Sequence, residues 1–114
     1  MKEELRFSPL LPAEDSTTGR DYTVRAKVWR WKGGSWHFVN LSLKQSAEIR
    51  RRFGGTARGW GSLRVRVKIG DTEWNTSLFP ERKSKSYLLP IKTDVRKAEA
   101  IDAGDLVTVV LYII

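Results

Sequence analysis

The sequence predicts a mainly β fold: a small closed barrel of about six strands with two short helices. Three observations carry this expectation. Period-two alternation recurs along the chain and is clearest in "LRVRVKIG", where Leu63, Val65, Val67 and Ile69 hold one parity and Arg64, Arg66 and Lys68 the other. Glycine-bearing turns at Gly33-Gly34 and Gly70-Asp71 separate neighbouring runs at hairpin spacing. Helical spacing of apolar residues is confined to two short stretches, around "SAEIRRRF" and "TDVRKAEA". Closing the sheet removes the unpaired edges that an open one presents.

Residues 1–20 mix Pro9, Pro12, Ser16, Thr17, Thr18 and Gly19 with scattered charge and read as a loosely ordered arm, leaving 21–114 as one barrel domain. In "YTVRAKVWRW" Val24, Ala26 and Val28 share one parity, and Arg25, Lys27, Trp29 and Trp31 the other. A hairpin across Gly33-Gly34 then sets Trp31 opposite Trp36 and Trp29 opposite Phe38, four rings on one face. Leu5, Phe7, Leu10 and Leu11 of the arm are the residues expected to cover them. A first helix spans Lys44 to Gly55, with Ser46 as its cap and Gly54-Gly55 as its stop.

The turn at Gly70-Asp71 pairs the next two strands so that Trp74 faces Val67, Asn75 faces Arg66, Ser77 faces Arg64 and Glu73 faces Lys68. Trp74 is expected to fill the barrel and Trp60 to plug one end of it. A short strand at Tyr87–Leu89 follows. A second helix opens at Thr93 with Asp94 in its first turn, and a turn at Ala103-Gly104-Asp105 leads to a last strand, Leu106 to Ile114. That strand is apolar at nearly every position, which predicts a central place with both faces covered. A weak internal repeat at an offset of 46 matches Leu43 with Leu89 and Ile49 with Val95, pointing to two pseudo-twofold halves in one chain.

At 114 residues the chain fits one domain that buries about two thirds of its unfolded surface. It has no cysteine, so disulfide frameworks, thiolate metal sites and thiol nucleophiles are excluded, and a reducing cytoplasm is the expected setting. The N-terminal residues resemble neither a signal peptide nor a membrane anchor, and "LVTVVLYII" is far shorter than the ~20 residues a spanning helix needs. The net charge of +8 is concentrated mid-chain: from Lys44 to Lys68, eight basic residues (Lys44, Arg50, Arg51, Arg52, Arg58, Arg64, Arg66, Lys68) stand against Glu48 alone. Such a field attracts polyanions.

Catalysis has little to stand on. His37 has no serine or carboxylate at triad spacing, Asp94 and Asp105 read as helix-start and turn residues, and no ligand set for a metal or other cofactor is evident. The leading candidate is a polyanion-binding face of Arg25, Lys27, Arg64, Arg66 and Lys68, joined by Arg50 and Arg51, for nucleic acid or an acidic protein. A second candidate is aromatic: Trp29, Trp31 and Trp36, or a small-ligand pocket in which Trp36, Ser77 and Tyr87 meet. Either makes the chain a binding module, a monomer or a homodimer.

Two resemblances bear on this. "LLPIKTDVRKAEAIDAGDLVTVVL" is similar to the strand, proline, helix and Gly-Asp turn of AbrB- and MazE-type domains, through Pro90, Val95, Arg96, Gly104 and Asp105. The wider pattern "GGSWHFVNL", "EIRRRF", "GWGSLRVRVKIGDTEWNTSLFP" and "YLLPIKTDVRKAEAIDAGDLVTV" resembles a bacterial family of unknown function found alone or fused to YdeI/OmpD-associated (bacteriocin-protection) domains. That resemblance implies a double-split β-barrel in which one chain supplies both of the halves that AbrB-like proteins supply as a dimer. The chain departs from the family at "ERKSKSY", where Lys83, Ser84 and Lys85 stand in place of expected glycines.

Overall fold

The computed structural model describes residues 15–114, which form one curled antiparallel sheet, a half-barrel, with two α-helices. The strands are β1 (Asp15–Thr18), β2 (Asp21–Lys27), β3 (Trp29–Arg30), β4 (His37–Asn40), β5 (Leu63–Ile69), β6 (Thr72–Glu81), β7 (Ser86–Pro90) and β8 (Leu106–Ile113). Helix α1 (Leu43–Phe53) follows β4, and α2 (Thr93–Glu99) follows β7. Across the sheet the order is β1-β2-β8-β5-β6-β7-β4-β3.

The two ends of that order are continuous in sequence. β2 and β3 are one path interrupted at Val28, whose N–H donates to the Asp105 carbonyl at 2.8 Å and whose own carbonyl accepts from Gly104 at 2.7 Å. Up to Lys27 the path pairs with β8, and from Trp29 it pairs with β4. β6 changes partner in the same way, from β5 to β7 after Leu78. Strands that switch partner midway bend the sheet around on itself. Among the described residues no ladder joins β2 to β4, and the sheet is a curled half-barrel. β1, which lies in the stretch expected as an arm, pairs with the edge of β2 away from β8.

Pairing repeats at an offset of 50, not 46. Trp29 faces Phe38 as Phe79 faces Leu88, and Arg30 faces His37 as Pro80 faces Tyr87. Across the two halves, Leu41 N–H donates to the Tyr87 carbonyl at 3.0 Å and Ile91 N–H to the His37 carbonyl at 2.9 Å. The shorter offset comes from aligning charged helix residues; the helix starts, Leu43 and Thr93, give the correct one.

The core is the inward parity of the strands plus one stripe of each helix: Val24, Val65, Val67, Val109 and Leu111 from the sheet, Ile49 and Phe53 from α1, Val95 from α2. Trp74 packs half-buried against it. The α1 cap is Ser42, whose hydroxyl accepts from Gln45 N–H at 3.0 Å, rather than Ser46. Ser46 is buried, and its hydroxyl accepts from Tyr87 N–H at 2.9 Å, satisfying a strand amide that no neighbouring strand reaches. The last strand is central as expected, but only its inward face is covered: Leu106, Val110, Tyr112 and Ile114 are exposed.

Candidate functional site

The outward face of β2, β8 and β5 carries the basic wall that the alternation predicts. Arg64, Arg66 and Lys68 alternate with buried neighbours on β5, and Arg25 and Lys27 flank the half-buried Ala26 on β2; all five are exposed. β8 runs between them. Arg66 faces Tyr112, Lys68 faces Val110, Arg25 faces Thr108 and Lys27 faces Leu106. Strand geometry spaces successive charges about 7 Å apart along each strand and sets the two basic strands about 10 Å apart. Arg66 lies over the Tyr112 ring at 5.9 Å, and Arg64 Nη1 donates to the Ser77 hydroxyl at 3.2 Å.

Two acids border this wall. Glu73 faces Lys68 and Asp21 faces Tyr112, and both line a depression of about 210 Å³ with Arg66 and Lys68. Among the described residues none of the five basic side chains is in an ion pair; that geometry is reached by Arg52 and Glu48, 3.4 Å apart on α1.

Arg50 and Arg51 do not join the wall. They project from α1, which packs against the opposite, inward side of the sheet through Ile49 and Phe53. Arg50 Nη2 donates to the Lys85 carbonyl at 3.1 Å, with its guanidinium 5.7 Å from the Tyr87 ring centre. Tyr87 is buried on the inward face, and that burial pushes its phenol up, partly offset by the Arg50 charge.

The aromatic hairpin forms in the expected register, with Trp29 facing Phe38 and Trp31 N–H donating to the Trp36 carbonyl at 2.8 Å. Ring centres of Trp29 and Phe38 lie 5.1 Å apart, and those of Trp36 and Phe38 lie 6.0 Å apart and nearly parallel. Trp29 Nε1 donates to Asn40 Oδ1 at 2.6 Å, which fixes its ring. The Trp31 ring lies over Gly33, where a Cβ would collide with it. Trp29, Trp31, Trp36 and Phe38 line an open groove of about 470 Å³ with Phe79, Glu81 and Leu88. Trp31 is 50% and Trp36 60% exposed, so the described residues leave the ladder uncovered. Leu5, Phe7, Leu10 and Leu11, the expected cover, lie outside the described residues.

The other expected sites separate. Trp36, Ser77 and Tyr87 do not share a cavity, because Trp36 stands on the groove, Ser77 on the basic wall and Tyr87 in the core. His37 is buried, with Nδ1 2.7 Å from the Ser35 carbonyl. Trp60 plugs nothing: it is 94% exposed, on the Gly59–Gly61 loop. Among the described residues, no three His, Asp or Glu side chains gather as metal ligands, and no helix is long and apolar enough to cross a membrane. Sequence reasoning missed the cleft beneath Trp60; the tripeptide Gly59-Trp60-Gly61, a large aromatic between two glycines, was its signal.

A half-barrel with an arginine-rich wall on one outer face and tryptophans on another defines a small mainly β domain. The chain belongs to the family described as Domain of unknown function (DUF1905), whose model matches residues 25–111 and so takes in both halves of the fold. No curated protein matches it.

Proposed function

We propose that this is a non-catalytic cytoplasmic binding module whose outer wall, Arg25, Lys27, Arg64, Arg66 and Lys68, receives a polyanion, with the backbone of a nucleic acid as the partner. The observation that carries it is the placement of five exposed cations on one face of a hydrogen-bonded sheet. A rigid row of cations tracks a phosphate backbone without reading sequence, so affinity rather than base preference is what this wall supplies. The likeness of Pro90, Val95, Gly104 and Asp105 to AbrB- and MazE-type segments belongs to the same proposal, as does the completion of the half-barrel into a pseudo-twofold double-split barrel. The repeat of pairing at an offset of 50 supports both. Those four residues shape turns and the second helix; they are scaffold.

The test is fluorescence anisotropy with labelled single- and double-stranded oligonucleotides across a salt series. Affinity is expected to fall steeply between roughly 50 and 200 mM salt, and the Arg64→Ala/Arg66→Ala pair to flatten the log–log slope by about 2. No binding at low salt, or binding indifferent to that double replacement, removes the proposal. The exposed Trp31 and Trp36 support a second reading, a protein-interaction surface for a partner such as a YdeI-like protein, which is indifferent to salt and sensitive to Trp36→Ala.

A further inference from the structure

We propose that the cleft between the Gly59–Gly61 loop and the Glu81–Lys85 turn binds a nucleoside phosphate group, as a free nucleotide or as the terminal residue of an oligonucleotide. This site does not rest on the outer wall. The cleft, open to solvent on one side, has a volume of about 790 Å³ and is lined by Arg50, Trp60, Pro80, Glu81, Arg82 and Lys85. That volume lies within the ~300–1,000 Å³ of small-ligand sites.

The cleft is built and held open by the backbone. Arg58 N–H donates to the Ser62 carbonyl at 2.8 Å and Gly61 N–H to the Arg58 carbonyl at 2.9 Å, which close the loop. Gly61 sits so near β6 that a Cβ there would lie 3.1 Å from Pro80 Cγ, so the loop is seated on the strand. On the other side, Lys85 N–H donates to the Glu81 carbonyl at 2.9 Å, and Arg50 Nη2 donates to the Lys85 carbonyl at 3.1 Å. Three non-glycine residues among those described have positive φ, and two of them, Trp60 at 65° and Lys85 at 60°, line this one cleft. Such backbone costs free energy and persists where the surroundings enforce it. At 94% exposure the Trp60 indole recovers none of that cost by burial.

The chemistry of the lining selects the ligand. Arg50, Arg82 and Lys85 are three cations against Glu81, and Glu81 already accepts from the Ser84 hydroxyl at 2.5 Å. Guanidinium and ammonium groups around one cleft suit a phosphate dianion. The free indole face suits a planar base. Inorganic phosphate fills half of this site and an uncharged nucleoside the other half; a group carrying both fills it.

The full-length protein is titrated with AMP, with a 5′-phosphorylated trinucleotide and with adenosine, following tryptophan fluorescence and the amide shifts of Arg82 and Lys85. Saturable quenching by AMP identifies a free nucleotide; quenching by the trinucleotide alone identifies a chain end; both support the proposal. Trp60→Gly, which suits the positive φ, is expected to abolish the quenching, and Lys85→Gly to weaken affinity about tenfold. Arg64→Ala/Arg66→Ala leaves the AMP titration unchanged, which separates its failure from failure of the wall. No saturable quenching or shift with either phosphate ligand, quenching retained in Trp60→Gly, or adenosine binding as tightly as AMP overturns the proposal.

Discussion

Val39 and Leu89 lie directly opposite one another in the β4–β7 ladder, both fully buried, at the centre of the pairing that relates the two halves. Their contact therefore belongs to both halves at once. Truncating Leu89 to Ala removes buried methyls from a site with strands on either side and is expected to cost about 2–5 kcal/mol in urea unfolding. Leu88→Ala, half-buried on the outer face, should cost clearly less. Because Val39 and Leu89 share a contact, the double Ala variant should lose less than the sum of the two single losses.

The Arg64 and Val65 parities were legible because a strand with one covered face must alternate, and the turn at Gly70-Asp71 fixed the register of β5 against β6 residue by residue. Pairing between distant strands was not legible in that way. Nothing local says that at Val28 the path leaves β8 and, as β3, goes on to pair with β4. For the candidate site, the wall followed from alternation alone. Arg50 and Arg51 were misplaced onto it because charge counted along a sequence carries no information about which side of the sheet a helix packs on. Trp60, expected to plug one end, stands exposed on the loop between Gly59 and Gly61.

The Tyr22 hydroxyl is held between Glu48 Oε2 at 3.2 Å and Arg52 Nη1 at 2.9 Å, and burial pushes its phenol above 10.0, with the Arg52 hydrogen bond and charge opposing. A phenol whose folded-state value is raised stays protonated in the native state after the unfolded chain has begun to lose its proton. The unfolded state then binds fewer protons, so stability falls as pH rises beyond about 10. Tyr87 is raised as well and adds to the same limb. Chemical denaturation between pH 8 and 11.5 should show a steep alkaline loss, made shallower by Tyr22→Phe; an unchanged limb would assign the loss to other groups.

Glu99 reaches from α2 to the tip of the β5–β6 hairpin, where Oε2 accepts from the Thr72 hydroxyl at 2.6 Å and from Asp71 N–H at 3.3 Å. Gly70, at φ 58°, leaves room for that carboxylate, and a Cβ there would run into it. Gly70→Ala combines left-handed strain of about 1–2 kcal/mol with loss of the two hydrogen bonds, about 1 kcal/mol each. In a Glu99→Ala background only the strain should remain. A double-mutant cycle by thermal melting therefore returns a coupling of about 1–2 kcal/mol if the carboxylate is the obstacle, and none if it is not.

Lys85 occupies a left-handed position, φ 60°, in the turn where the related family is expected to carry glycine. An L-residue there costs about 1–2 kcal/mol, which glycine avoids. Against that, glycine raises the entropy of the unfolded chain by roughly 0.4–1 kcal/mol. The strain is the larger of the two, so Lys85→Gly should stabilise the fold by about 0.5–1 kcal/mol, a rise of a few degrees in Tm. Its exposed neighbour Lys83 has no positive φ and supplies the control: Lys83→Gly meets only the entropic penalty and should lower Tm. Equal losses at both positions would show that the left-handed backbone at Lys85 carries no strain for glycine to relieve.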